Sequence, residues 1–256
     1  MQWTHSVNPK WLEARKNYLT ASEIMKLLPT TPTGRMRAGF EDALLKVWAY
    51  KQCKVTDDDV VSTGVMARGH ILEPYAIQAL NSSNLVAAQI YHWDDTLIHS
   101  ADNIGVSPDA LDVEQPKDCP VSLYECDARS VVEVKAYNAA VHYEAGLSAN
   151  PGRLPERWQL ATAMYVMPTI ELGTLVFFNP SVTHPLFIHQ FDRHDLEKEL
   201  EMIADISTKY WSKIIDFEVN ADAACDYNMI NACPQEDHII KELMDKEAVD
   251  GGCLNP

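Results

Sequence analysis

Val131-Val132-Glu133-Val134-Lys135-Ala136-Tyr137 (VVEVKAY) is the segment on which the reading of this chain turns. Apolar and charged side chains alternate along it with the period of two that belongs to a β-strand, so Val132 and Val134 face one way and Glu133 and Lys135 the other. A carboxylate and an ammonium are thereby set side by side on a rigid element.

Working outward, Ser107-Pro108-Asp109 places a second carboxylate at a bend, where Pro108 fixes the backbone and blocks continued pairing. Further upstream, Glu73 stands in RGHILEPYA, in a helical stretch just before Pro74. Three carboxylates and a lysine make a hard-cation site suited to phosphodiester hydrolysis. Asp109 and Glu133 can hold Mg²⁺, the backbone carbonyl of Val134 and water can supply further oxygens, and Glu73 can complete the shell or help to hold a second ion. In such a site Lys135 orients the attacking water or stabilises the developing charge. A PD dipeptide followed by ExK also arises by chance, and Glu/Lys alternation is ordinary on an edge strand. The weight therefore falls on the order of several independent segments.

Those segments alternate in type. Thr20 and Glu23 have capping-box spacing and open a short helix carrying Ile24, Leu27 and Leu28. Helices are predicted over 40–51 and from about 60 to 80, with a kink or break just before Pro74. Strands are predicted over 85–93, within 97–111 around the bend at 105–109, over 131–137, and over 170–178 with 186–191 as its hairpin partner. Helical patterns occupy 139–147, 155–167 and 192–216, with Pro155 and Glu156 suited to a first turn. This order predicts a mixed-sheet α/β domain over 1–218, followed by an acidic tail over 219–256 that ends in Gly251-Gly252.

Composition narrows the class. In 256 residues, 37 Asp and Glu oppose 21 Lys and Arg, a formal charge of −16, and 46% of residues are hydrophobic. A charged fraction of 23%, with 10 Gly and 14 Pro, excludes a disordered, collagenous or coiled-coil chain. No apolar run reaches the roughly 18 residues of a spanning helix, and residues 1–10 lack an apolar signal core, so a soluble cytosolic protein without a membrane partner is expected. The six cysteines (Cys53, Cys119, Cys126, Cys225, Cys233, Cys253) are scattered and form no CxxC, which suits neither a secreted disulfide framework nor a zinc knuckle.

The net charge on its own disfavours a polyanionic partner, yet it is unevenly spread. Residues 1–56 hold nine bases and four acids, whereas 94–127 hold one base and nine acids and 219–256 two bases and eight acids. Either the acidic stretches are solvated surface, or a localised anion site sits on an otherwise acidic body.

RKNYLTASEIM, RGHILEPYA, GVSPDAL, VVEVKAY and LPERWQLATAMYV, in that order and spanning about residues 11 to 180, resemble the lambda exonuclease and YqaJ-like family of viral recombination nucleases, within the PD-(D/E)xK superfamily. The resemblance implies a restriction-endonuclease-like core, a mixed central β-sheet flanked by helices. It implies a 5′→3′ exonuclease that degrades one strand of linear double-stranded DNA to 5′-mononucleotides with Mg²⁺, or Mn²⁺ as a substitute. Asp109 and Glu133 then become metal ligands, Lys135 the catalytic lysine and Glu73 the helix-borne acid. Gln159 matches the family's glutamine in the helix after the catalytic strand, and Arg15, Ser22 and Ser107 match its pocket for the DNA 5′-phosphate. A homotrimer around DNA, a single-strand annealing protein as partner and, for a phage-encoded chain, the cytosol of a bacterial host are implied as well.

The pocket is physically reasonable, since Arg15 offers a forked donor for a phosphate and Ser22 sits near a helix N-terminus. Read without the resemblance, Arg15 is a surface ion pair and Ser22 a cap. Ala161 stands where many members have a second glutamine, and an acidic insert around 114–127 lengthens the interval from Asp109 to Glu133. Where some members carry a phosphate-binding arginine soon after the lysine, the nearest basic side chain is His142, which takes that role only weakly against the ordinary reading of a packed histidine. Trp158 can stack on DNA or belong to the core, Arg157 is available for backbone contacts, and Trp3 and Trp11 lie in the basic region. The rival readings are a related endonuclease or single-strand nuclease, and a non-catalytic module that binds DNA ends.

Overall fold

A computed structural model describes residues 15–28, 39–52, 64–83, 90–92, 98–100, 102–112, 128–148, 151 and 154–224. All six cysteines, Trp3, Trp11, the predicted strand residues 85–89 and 93, the acidic insert over 113–127 and the tail from 225 lie outside the described residues. The chain divides into two units, Met1–Tyr210 and Trp211–Pro256, and the architecture below belongs to the first.

Strand β1 (Leu19–Thr20) runs directly into helix α1 (Ala21–Leu27) because Glu23 turns back by one helical turn. Its Oε2 accepts the Thr20 N–H at 2.7 Å and the Thr20 hydroxyl at 2.9 Å, the reach that the Thr20/Glu23 spacing predicts. Ile24, Leu27 and Leu28 are buried as expected. Helices α2 (Phe40–Gln52) and α3 (Gly64–Ser82) follow.

The predicted break before Pro74 does not occur, for α3 is continuous across it. Pro74 and His70, whose carbonyl loses its usual donor four residues on, lie on the exposed side, where solvent can replace the missing bond. Ala76, Ile77 and Leu80 are buried on the other side. Burial of that stripe holds the helix through the proline.

Two sheets form. In the smaller, β1 lies parallel to β4 (Ile104–Val106), with Leu19 opposite Ile104 and Thr20 opposite Gly105, and β3 (Ile98–His99) pairs antiparallel on the far edge of β4. In the larger, the order is β2 (Ile90–His92), β5 (Ala110–Asp112), β6 (Ser130–Lys135), β7 (Leu172–Phe178), β8 (Leu186–Asp192). Only β6 and β7 are parallel within it, joined by a crossover that carries α4 (Ala139–Gly146) and α5 (Arg157–Val166). The predicted hairpin partner of β7 is β8. This is the mixed sheet flanked by helices that the order of segments predicts.

Ala76, Ile77 and Leu80 of α3 pack against Ala110, Val132, Val134, Val176 and Phe178 on one face of the larger sheet. On the other face, a Cβ added to Gly173 would stand 2.6 Å from Leu160 Cδ2 and 2.9 Å from Met164 Sδ. A bare backbone at Gly173 thus lets α5 approach closely. Helix α5 starts at Arg157 and not at Pro155; Pro155 and Glu156 form the turn ahead of it. A 3₁₀ turn (Arg193–Leu196) leads into the last described helix, α6 (Glu197–Ala224), whose residues from Trp211 onward belong to the second unit. No described helix is long and apolar enough to cross a membrane.

Arg157 is not left open to a DNA backbone. Its Nε lies 2.9 Å from Glu199 Oε1, Nη2 donates to Glu199 Oε2 at 3.0 Å, and the guanidinium covers the Phe191 ring at 5.3 Å. The pair joins the start of α5 to the start of α6, a packing role.

Candidate active site

Strand β5 stops pairing where β6 continues. Ala110 pairs with Val132, and Pro108 turns the chain away, so the carbonyl that a longer β5 would offer to Val134 is missing. Asp109 fills that place: its Oδ2 accepts the Val134 N–H at 2.7 Å. The bend at 107–109 also carries the chain from the smaller sheet to the larger, since β4 lies in one and β5 in the other.

On β6 the period-two prediction holds. Val132 and Val134 pack on the α3 side, while Lys135 Nζ donates to Glu133 Oε1 at 2.5 Å. Burial, then the Glu133 charge, push the Asp109 carboxyl well above its ordinary value, against the opposing pull of Lys135 and of the Val134 N–H; Glu73 of α3 pushes in the same direction as Glu133. Burial alone would lower Lys135, but the Glu133 and Asp109 carboxylates outweigh it and hold the ammonium protonated above the ordinary lysine range. Asp109, Glu133, Lys135 and Glu73 therefore share one electrostatic environment. Glu73 Oε1 also lies 3.3 Å from Nδ1 of exposed His70.

Among the described residues, no three Cys, His, Asp or Glu side chains close around one point as a protein cage for a metal. The donor chemistry fits a different ion. Two carboxylates and a backbone carbonyl, with water and a substrate phosphate for the rest, are what Mg²⁺ takes, since it keeps much of its hydration shell. A half-buried carboxylate pushed upward by desolvation and by its neighbours is one that a cation would relieve.

Tyr137, two residues beyond Lys135, donates its hydroxyl to Oε1 of buried Glu156. The Glu156 carbonyl in turn accepts the backbone N–H of Gln159 at 3.0 Å. The start of α5, with Gln159 on it, is thus tied to the strand that carries Glu133 and Lys135. On the opposite side Arg68 donates to the carbonyls of Ala136 and Tyr137, both at 3.2 Å, and to Asn179 Oδ1 at 3.3 Å. Sequence reasoning missed Tyr137, Glu156 and Arg68, because their partners lie 19 to 111 residues away.

The N-terminal group approaches from the smaller sheet. Strands β1 and β4 are parallel, so Ser22, two residues past Thr20, and Ser107, two residues past Gly105, follow strands that end at the same edge. Ser22 Oγ lies 3.2 Å from Thr20 Oγ1. Arg15 heads the turn that leads into β1, its carbonyl accepting the Tyr18 N–H at 3.2 Å. Lys51, on α2, sits against this turn: its Nζ lies 3.0 Å from Glu23 Oε2 and donates to the carbonyls of Tyr18 at 2.6 Å and Arg15 at 3.3 Å.

His142 is not brought to this site as a phosphate contact. It is fully buried, with Nε2 2.8 Å from the His184 carbonyl and the ring 5.0 Å from that of Phe187. Its position soon after the lysine in sequence puts it on the inner face of α4, where packing claims it.

Residues 10–169 match the model of the YqaJ-like viral recombinase domain. Among solved structures, the chain is similar to an alkaline exonuclease (LHK-Exo) from Laribacter hongkongensis, with 17% identity over 85% of this chain and 100% of that one and a TM-score of 0.60. The same protein in complex with dAMP gives 16% identity, the same coverage and a TM-score of 0.59. A phage related exonuclease from Haemophilus somnus 129PT gives 9% identity over 78% of this chain and 96% of that one, with a TM-score of 0.53. At these identities the likeness is one of fold. No curated protein matches the chain.

Proposed function

Since the chain belongs to the YqaJ-like viral recombinase domain family, we propose that it is a Mg²⁺-dependent 5′→3′ exonuclease of linear double-stranded DNA, releasing 5′-mononucleotides and leaving a 3′ overhang for phage-type recombination. The observation that carries this reading is the meeting of Asp109, Glu133 and Lys135 at one end of β6, with the Asp109 carboxylate on the Val134 N–H.

Asp109, Glu133 and the Val134 carbonyl, with Glu73 in support, would hold Mg²⁺, which would supply Lewis acidity and neutralise charge on the phosphate. Lys135 remains an ammonium, so it donates to the attacking water or to a phosphate oxygen and does not take up the proton. Attack of water on phosphorus breaks the bond to the 3′ oxygen, which takes up a proton: the terminal nucleotide leaves with its own 5′-phosphate and a 3′-hydroxyl, and the attacked phosphate stays on the shortened strand as its new 5′ end. Gln159 supports the water from α5. Arg15 offers its guanidinium fork to the terminal 5′-phosphate, with Ser22 and Ser107 beside it. A terminal phosphate held at a fixed distance from Asp109 and Glu133 accounts for removal of one nucleotide at a time.

The catalytic domain is assigned to residues 1–218 and the acidic tail to 219–256. A homotrimer around DNA and a single-strand annealing partner complete the reading, in the cytosol of a bacterial host; a protein that stays monomeric in light scattering counts against the ring. The test of polarity and mode is digestion of linear duplex beside a covalently closed circle. Digestion of the linear form alone is expected, and cleavage of the circle would assign an endonuclease.

A further inference from the structure

We infer that Lys51 is the positioning residue of the 5′-phosphate pocket: it fixes the backbone that carries Arg15 and Ser22 without touching DNA itself. The inference rests on the reading of Arg15 and Ser22 as that pocket.

An ammonium has three N–H donors, and Lys51 Nζ has three acceptors within reach. They are Glu23 Oε2 at 3.0 Å, the Tyr18 carbonyl at 2.6 Å and the Arg15 carbonyl at 3.3 Å. With its donors engaged, Lys51 has none left for a phosphate. Its side chain is 7% exposed and that of Glu23 9%, so the pair is shielded from screening by solvent and salt.

What Lys51 holds is specific. Two of its three acceptors are the carbonyls that begin and end the Arg15–Tyr18 turn, and the Arg15 carbonyl also receives the Tyr18 N–H at 3.2 Å. The third is the carboxylate next to Ser22 in sequence. Glu23 Oε2 accepts both the N–H and the hydroxyl of Thr20, and Thr20 Oγ1 lies 3.2 Å from Ser22 Oγ. One buried cation, delivered by α2 from 36 and 33 residues away, thus gathers the backbone of Arg15 and the hydroxyl pair beside Ser22. Burial lowers the Lys51 pKa and Glu23 works against that, with Arg15 and Lys26 lowering it further. The turn is therefore built around a cation that a single carboxylate keeps in place.

The test compares kcat/KM on linear duplexes with 5′-phosphoryl and with 5′-hydroxyl ends for Arg15→Ala, Lys51→Met and Glu23→Gln. Loss of folded protein lowers both rates alike and leaves their ratio untouched, whereas displacement of the pocket lowers the ratio. Lys51→Met and Glu23→Gln are expected to lower it roughly tenfold, the loss of a charge-assisted bond, through a higher KM for phosphorylated ends. If Lys51→Met does not fold, Glu23→Gln decides. Arg15→Ala losing the preference while Lys51→Met and Glu23→Gln keep it overturns this inference alone. Arg15→Ala keeping the preference removes the pocket, and the inference with it.

Discussion

The Val134 N–H donates to Asp109 Oδ2 at 2.7 Å, which fastens the PD bend to the strand bearing Glu133 and Lys135. The acid so placed is half-buried beside other carboxylates, and its carboxyl is raised well above the ordinary 3.8. An acid with a raised folded-state pKa stabilises the fold while protonated; that contribution is present below the ordinary value and is lost as pH rises through the raised one.

Asp109→Asn is therefore expected to raise the Tm of metal-free protein at neutral pH by a few degrees, about 1 kcal/mol on the usual scale for a domain of this size. The same substitution should abolish the thermal shift that Mg²⁺ gives the wild type. Calorimetry with EDTA and with Mg²⁺ reads both, and an unchanged Mg²⁺ shift contradicts the ligand role of Asp109.

Lys135→Ala removes the ammonium that Glu133 and Asp109 hold. Its kcat on linear duplex should fall by about 10² to 10³, the usual loss for a donor to developing charge. Because Lys135 stays charged, the pH–rate profile of the wild type should show no basic limb from this group below its ordinary value of 10.5. A Lys135→Ala enzyme that digests duplex normally is incompatible with this site.

Why some of this was legible and some was not follows from where the partners lie. The strand of Glu133 and Lys135, the Thr20/Glu23 turn and the β7–β8 hairpin are written in neighbours a few residues apart, so alternation and capping chemistry suffice. Continuity of α3 through Pro74 depends on what its buried stripe packs against, which no local rule for proline contains. Arg157 was misread because Glu199 is 42 residues away. His142 was misread because closeness to Lys135 in sequence does not say which way a helix turns its side chain. Lys51, the centre of the Arg15 turn, carries no motif in the sequence reading and emerges only once α2 is packed on β1 and α1.

Arg15→Ala should lower the preference for 5′-phosphorylated ends by roughly 10- to 100-fold, the range for charged hydrogen bonds to a phosphate. Rates on matched 5′-phosphoryl and 5′-hydroxyl duplexes measure it, and an unaltered ratio contradicts the assignment of Arg15.

Gly173→Ala pushes a Cβ into Leu160 and Met164 beneath the parallel strand pair. Overpacking of this kind costs about 1–3 kcal/mol, so urea unfolding should shift to a lower midpoint with the slope preserved. A neutral substitution would mean that α5 can retreat from the sheet without loss.

The central claim is that the Asp109–Glu133–Lys135 cluster hydrolyses linear duplex DNA from its 5′ ends. It is tested most directly with duplex labelled at the 5′ terminus, incubated with the protein and Mg²⁺ and resolved for product size. Label released as mononucleotide, a requirement for Mg²⁺, and no release by Glu133→Ala of unchanged fold are expected. Label retained on long fragments, or release by Glu133→Ala at the wild-type rate, would contradict it.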